Sequence, residues 1–130
     1  MEKLDRVRVA SLQYFIRPVS SFEEFEAQAV GHIATAADYK CQLLVFPEYF
    51  SVQLLSLTAS TSSIRDQVRI LAREAPRFVV AMSAAAKKYG LYVIAGTIPV
   101  EDAGEIKNRA YFFSPQGGVE FQDKTAHDAF

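Results

Sequence analysis

An α/β fold, with strands and helices alternating around a buried sheet, is what this sequence predicts, and three observations carry the prediction. Residues 42–46, Gln42-Leu43-Leu44-Val45-Phe46, and residues 91–98, from Leu91 to Ile98, are near-continuous apolar runs of strand length. Such runs suit strands covered on both faces. Helical spacings with capping signals lie before and between them. Two further strand-like runs, 108–114 and 119–124, close the chain around a turn.

Taken in order, residues 6–13 alternate, with Val7, Val9 and Ser11 on one side and Arg8, Ala10 and Leu12 on the other, and predict a first strand. Arg17-Pro18-Val19-Ser20-Ser21 reads as a loop. Ser20 with Glu23, and Ser21 with Glu24, both have capping-box spacing, so a helix is expected over 22–39. Phe22, Phe25, Ala29 and Ile33 share one side of it. The apolar run 42–46 is the second strand. Segment 51–61 is mixed. Ser60-Thr61-Ser62-Ser63 can cap a helix over 64–74 that turns Val68 and Leu71 inward. Pro76 either interrupts or starts the next helix, 77–89, which Gly90 terminates. In the strand 91–98, Gly96 predicts the close approach of another backbone or side chain. Residues 99–107 read as an acidic loop, 108–114 as a strand, 115–118 as a turn, and 119–124 as its hairpin partner.

Composition narrows the function. The chain has 130 residues, half of them hydrophobic, with ten Phe and six Tyr. A fold of this size buries about two-thirds of its unfolded surface. Net charge is −1 with the signs interspersed, so neither nucleic acid nor an anionic membrane is an expected partner. No apolar run approaches the ~18 residues of a membrane span. The charged start, residues 1–6, lacks the apolar core of a secretory signal. One cysteine, Cys41, and two histidines, His32 and His127, make neither a disulfide nor a metal cluster, so no metal or cofactor is predicted and a cytoplasmic protein is the simplest inference. There is no internal repeat, interdomain linker or phosphate-binding Gly-rich loop; a single domain over 1–130 is expected.

The candidate chemistry lies at the end of the second strand. Pro47 cannot donate to a sheet ladder and holds Phe46 extended, so the strand stops and Glu48 stands just past its carboxyl end, where α/β sheets gather ligands and catalytic groups. Tyr49 and Phe50 are expected to wall the carboxylate. A carboxylate kept partly from water suits a general base near neutral pH; the alternative is a surface glutamate on a turn. Cys41, ahead of a core strand, reads as a small buried hydrophobe. Lys124, taken alone, reads as a solvated lysine at a strand end.

Val45-Phe46-Pro47-Glu48-Tyr49-Phe50, then Ile94-Ala95-Gly96-Thr97, Asn108-Arg109-Ala110-Tyr111-Phe112-Phe113-Ser114-Pro115-Gln116-Gly117 and Phe121-Gln122-Asp123-Lys124 occur in this order. Together they resemble the amino-terminal half of the nitrilase, or carbon-nitrogen hydrolase, superfamily, over about residues 6–124. The wording of 42–50 and 121–124 is similar to a branch often found behind an acetyltransferase domain. The resemblance implies an incomplete α-β-β-α sandwich, with a mixed sheet and helices on one face. It also implies a Glu–Lys–Cys set acting on a small amide or nitrile. Glu48 matches the general base and Lys124 the cation that stabilises the tetrahedral intermediate. Asn108 matches a position that supports the sheet or site.

The departures are as specific. The family's nucleophilic cysteine follows the lysine after another strand; Cys41 precedes the glutamate and does not match it. Thr125-Ala126-His127-Asp128-Ala129-Phe130 fits the family poorly, so a truncated or frame-shifted gene product, or a gene fragment, with the matching frame lost just after Lys124, is expected. Two readings follow: a carbon-nitrogen hydrolase by descent that is inactive as this chain alone, or a catalytically dead binding or assembly module of the same fold. Because the second sheet of the family fold lies mostly in the other half, self-association or aggregation is expected.

Overall fold

The computed structural model describes residues 6–13, 17–48, 50–57 and 63–124. Five strands form one sheet in the order β1-β2-β3-β4-β5. These are β1 (Val9–Ser11), β2 (Leu43–Val45), β3 (Tyr92–Asp102), β4 (Glu105–Phe113) and β5 (Val119–Asp123). β1, β2 and β3 are parallel, whereas β3, β4 and β5 are antiparallel. The mixture follows from the connections. The first two crossings carry helices α1 (Phe22–Asp38), α2 (Ile64–Arg73) and α3 (Ala75–Tyr89), and the last two are tight turns.

Local signals start and stop the helices. Ser21 caps α1, its hydroxyl accepting from the Glu24 N–H at 3.1 Å. The Glu24 carboxylate in turn accepts from the backbone N–H of Ser20 at 3.1 Å and from its hydroxyl at 2.6 Å. Ser63 caps α2 through the Asp66 N–H; Ser60, Thr61 and Ser62 lie outside the described residues. Pro76 starts α3 in its first turn rather than interrupting it, and Gly90 ends it with a left-handed φ of 75°.

α1 and α3 cover one face of the sheet. Phe22, Phe25, Ala29, Ile33 and Ala36 of α1 are buried, as are Phe78, Met82, Ala85 and Ala86 of α3. Beneath them lie Leu44, Val93, Ala95 and Phe113, each at most 1% exposed. Strand register puts Ala10, Leu44, Val93 and Phe113 in one row across the sheet. The next row, on the opposite face, is Val45, Ile94 and Phe112, all only half-buried. Tyr92 stacks on Phe112 there at 5.5 Å, and Val9 is 53% exposed. The second strand is therefore covered on one face and half-open on the other, unlike the two-sided cover its apolar run predicts. No helix among the described residues is long and apolar enough to cross a membrane.

Three elements differ from the sequence expectation. β1 keeps three of eight predicted residues, because it pairs only along the three-residue β2. Segment 51–61 holds a 3-10 helix, Phe50–Leu57, with Phe50, Ser51, Gln53 and Leu54 buried. The buried amide of Gln53 donates to the Arg17 carbonyl at 3.0 Å, and the Ser56 hydroxyl brackets the Val19 N–H and C=O, so this helix pins the 17–19 loop. Lastly, residues 99–107 are a hairpin rather than a loop, with β3 and β4 meeting at Asp102 and Glu105. Positive φ at both Ala103 (53°) and Gly104 (80°) makes the two-residue turn. Pro99 is tolerated because the Thr97 N–H, two residues earlier, points to Glu48 on the β2 side, and β2 pairs no further than Ile94. The missing Pro99 N–H falls on that unpaired side.

Backbone conformation predicts opposite outcomes for two glycines. Gly31 lies inside α1 with nothing within 4 Å of an added Cβ. Gly31→Ala is expected to stabilise the chain by about 0.5–1 kcal/mol. Gly96 has φ +67°, and an added Cβ would lie 2.6 Å from the Pro47 carbonyl oxygen. Gly96→Ala is expected to cost at least about 2 kcal/mol. Denaturant unfolding of both variants reads the two signs in one experiment.

Candidate functional site

β2 ends at Val45, and Phe46 and Pro47 carry the chain on to Glu48 at the carboxyl edge of the parallel strands. Four contacts hold that corner against β3. The Phe46 N–H donates to the Ile94 carbonyl at 2.9 Å, the last bond of ladder type. β3 then bulges between Ile94 and Thr97. Gly96 lets the Pro47 and Glu48 carbonyls come within contact of its α-carbon side. The Thr97 N–H donates to the Glu48 carbonyl at 3.2 Å. Behind it, the hydroxyl of Ser51, 2% exposed, donates to the Thr97 carbonyl at 2.7 Å. The Ile94, Glu48 and Thr97 carbonyls around the bulge thus each meet a donor, as buried backbone groups require.

Lys124 arrives from the far side of the sheet. β5 pairs with β4 up to Asp123↔Arg109, and the Lys124 N–H then donates to the Asn108 carbonyl at 3.0 Å. Asn108 is 9% exposed. Its partner across β3–β4 is Pro99, on the strand that carries Gly96 and Thr97. The Lys124 ammonium forms an ion pair with the Glu48 carboxylate. Residues 76 positions apart in the sequence are thereby joined.

Glu48, Lys124, Asn108 and Thr97 share a cavity of about 300 Å³. The 3-10 helix contributes Val52 and Leu55 to its wall, α2 contributes Val68 and Leu71, and β3 contributes Pro99. One carboxylate and one ammonium in contact at an apolar wall can move a proton and stabilise developing negative charge on one substrate atom. A larger groove, about 620 Å³, runs between α1 and α3. Its rim charges Glu23 and Arg77 are already paired with each other at 3.1 Å, and among the described residues no second acid–base pair forms in it. The smaller cavity is therefore the better site on chemical grounds, whatever its size.

The other predicted residues divide. Phe50 does not stand beside the carboxylate. The 3-10 helix turns its ring inward, where it stacks on Phe46 at 4.4 Å and meets Phe25 and Phe78. Tyr49 lies outside the described residues. Glu48 remains half-exposed, with 48% of its side chain accessible, and among the described residues its side-chain partner is the Lys124 ammonium. Cys41 is half-buried ahead of β2. Seven residues of largely extended chain separate it from Glu48, roughly 20 Å, and put it at the opposite end of the strand. His32 packs edge-on against Phe46, and burial pushes its pKa down. Ser51 and Thr97 escaped the sequence reading. Thr97 follows the glycine that signalled close approach, but nothing in the sequence marks Ser51.

Both the sequence and the fold have known relatives. The sequence matches the carbon-nitrogen hydrolase family over residues 8–127. It is 34% identical over 118 residues to a probable hydrolase of Bacillus subtilis, covering 91% of this chain and 23% of that protein. It is 27% identical over 122 residues to an omega-amidase of Xenopus tropicalis, covering 94% of this chain and 41% of that one. The chain thus spans between about a quarter and two-fifths of these relatives. Among solved structures, a branch 10 member of the nitrilase superfamily from Saccharomyces cerevisiae superposes with a TM-score of 0.69 at 23% identity, over 91% of this chain and 44% of that one. This last likeness is one of fold.

The ion pair is too exposed, at 32% and 48% of the two side chains, to be a large stabilising contact. Glu48→Gln and Lys124→Gln are each expected to change stability by less than about 1 kcal/mol. Ser51→Ala removes a buried bond and leaves a carbonyl short of a donor, at a cost of about 1–2 kcal/mol. Urea midpoints for the three variants decide whether corner or pair holds the fold.

Proposed function

Since the chain belongs to the carbon-nitrogen hydrolase family, we propose that it carries the acid–base half of an amide- or nitrile-hydrolysing site, with Glu48 as general base and Lys124 as the stabilising cation. The observation that carries this reading is the ion pair of Glu48 with Lys124 at the wall of an apolar cavity.

On this reading a thiol attacks the substrate carbon as its proton passes to Glu48. A sulfur–carbon bond forms, and negative charge collects on the amide oxygen or nitrile nitrogen beside the Lys124 ammonium. For an amide, the carbon–nitrogen bond then breaks and the amine leaves with the proton from Glu48. Glu48 next takes a proton from water, whose oxygen attacks the acyl carbon; the sulfur–carbon bond breaks, the acid leaves, and Glu48 returns the proton to the thiolate. Cys41, the one cysteine of the sequence, stands at the wrong end of β2 to supply that thiol. This placement also favours a second reading, in which the chain is a catalytically silent binding or assembly module of the same fold.

Both readings share one expectation: these 130 residues alone do not turn over amides. Incubation with short aliphatic amides, with ammonia release as readout, is expected to match the buffer blank. Turnover that survives Cys41→Ala and vanishes with Glu48→Gln would show direct attack by water and overturn the requirement for a thiol. Turnover that needs Cys41 would overturn its placement.

We also propose that the chain self-associates through its half-open sheet face, where Val9, Tyr92 and Phe112 remain accessible. Light scattering combined with amide hydrogen exchange is expected to find species larger than a monomer. A monodisperse monomer with protected strands would sink this proposal.

A further inference from the structure

β5 is a weak platform for a working lysine. It is the edge strand, five residues long, with Val119 40% and Phe121 56% exposed. An edge strand is paired on one side only, so side-chain contacts add to what its ladder fixes. The support present is a fork from the neighbouring strand. Arg109 Nε meets Asp123 Oδ1 at 2.7 Å, and its Nη2 meets Asp123 Oδ2 at 3.1 Å. Nη2 also meets Asp102 Oδ2 at 3.1 Å, which Lys107 shares at 3.3 Å. Two cations and two carboxylates therefore balance. The guanidinium lies 3.8 Å from the centre of the Phe121 ring, so it grips β5 at two successive residues of the same face.

Asp123 immediately precedes Lys124. Side chains alternate along a strand, so a clamp on Asp123 from one face aims the next side chain to the other. The backbone of Asn108, adjacent to Arg109, takes the Lys124 N–H itself. The Arg109 side chain is 13% exposed against 32% for Lys124, so its pairs are less screened than the one they support. Asp123 is held below the usual carboxylate range chiefly by its bonds to Arg109.

We propose that Arg109 is the positioning residue for Lys124, setting the ammonium against Glu48 by clamping Asp123. The proposal rests on reading Lys124 as the working cation. Competitive acetylation of the full 130-residue chain tests it, with peptide mass spectrometry reporting Lys124 labelling relative to Lys87 and Lys88 on α3. Arg109→Gln and Asp123→Asn are each expected to raise the Lys124 ratio about two- to fivefold, the range of a lost exposed ion pair. Arg109→Lys keeps the charge but not the fork and is expected to restore it only in part. Lys107→Gln, whose ammonium bonds to Asp102 and acts on Asp123 only at longer range, is expected to raise the ratio less than Arg109→Gln or Asp123→Asn does. The exchanged pair Arg109→Asp with Asp123→Arg is expected to return the ratio toward the starting value even if the single variants fold poorly. An unchanged ratio in Arg109→Gln and Asp123→Asn, with a raised one in Glu48→Gln, would overturn the positioning role. An unchanged ratio in Glu48→Gln would instead overturn the Glu48–Lys124 pairing on which the proposed function rests.

Discussion

The site depends on an absent atom. Gly96 has no Cβ, and the Pro47 and Glu48 carbonyls occupy the space one would fill, the nearer at 2.6 Å. That contact lets β3 bulge, exposes the Thr97 N–H to the Glu48 carbonyl, and turns the chain out of β2 at a fixed angle. A hydrogen bond can lengthen by tenths of an ångström at small cost, whereas overlap of filled shells cannot. The glycine is therefore the stiff element of the corner, and the hydrogen bonds around it are adjustable.

The corner separates two environments within three residues. Phe46 and Phe50 bury their rings in the core with Phe25 and Phe78. Glu48, between them, stays at the surface of a small cavity. Aromatic residues on either side of the carboxylate thus serve as anchors. They hold the backbone on both sides of Glu48, so its side chain has little freedom beyond its own rotamers. Positioning of this kind suits an acid–base group better than a hydrophobic wall, because it fixes geometry and leaves access open.

β4 links the two ends of the problem. One of its edges pairs with β3, which carries the glycine and Thr97, and the other pairs with β5, which delivers Lys124. Asn108 and Arg109 are neighbours on it; one holds Lys124 by its carbonyl and the other holds Asp123 by its fork. The relative placement of Glu48 and Lys124 is thus transmitted through two ladders and one bulge. On the proposed function, in which several groups meet at one substrate atom, such a rigid route would serve the chemistry.

Much of this was legible in residue order. Capping spacings located α1 and α2, Gly90 ended α3, and apolar runs located β2 and β3, because these are local signals read within a few residues. Pro47 ending a strand put Glu48 at its carboxyl edge for the same reason, and Gly96 announced a close approach without naming its partner. The hairpin at Ala103 was hidden, since alanine at positive φ and a proline inside a strand both argue against one. The proline is tolerated because its missing N–H falls where β2 no longer pairs with β3. Phe50 could as well have faced the carboxylate, and only the packing of α1 and α3 over the sheet drew its ring inward. The family resemblance put Glu48 and Lys124 in one set, whereas the bond from Ser51 and the clamp of Arg109 on Asp123 join residues whose separation in sequence carries no information about distance. Sequence by itself determined the elements and the ends of strands. Which side chains meet was decided by sheet order and register, because only those convert positions along the chain into positions in space.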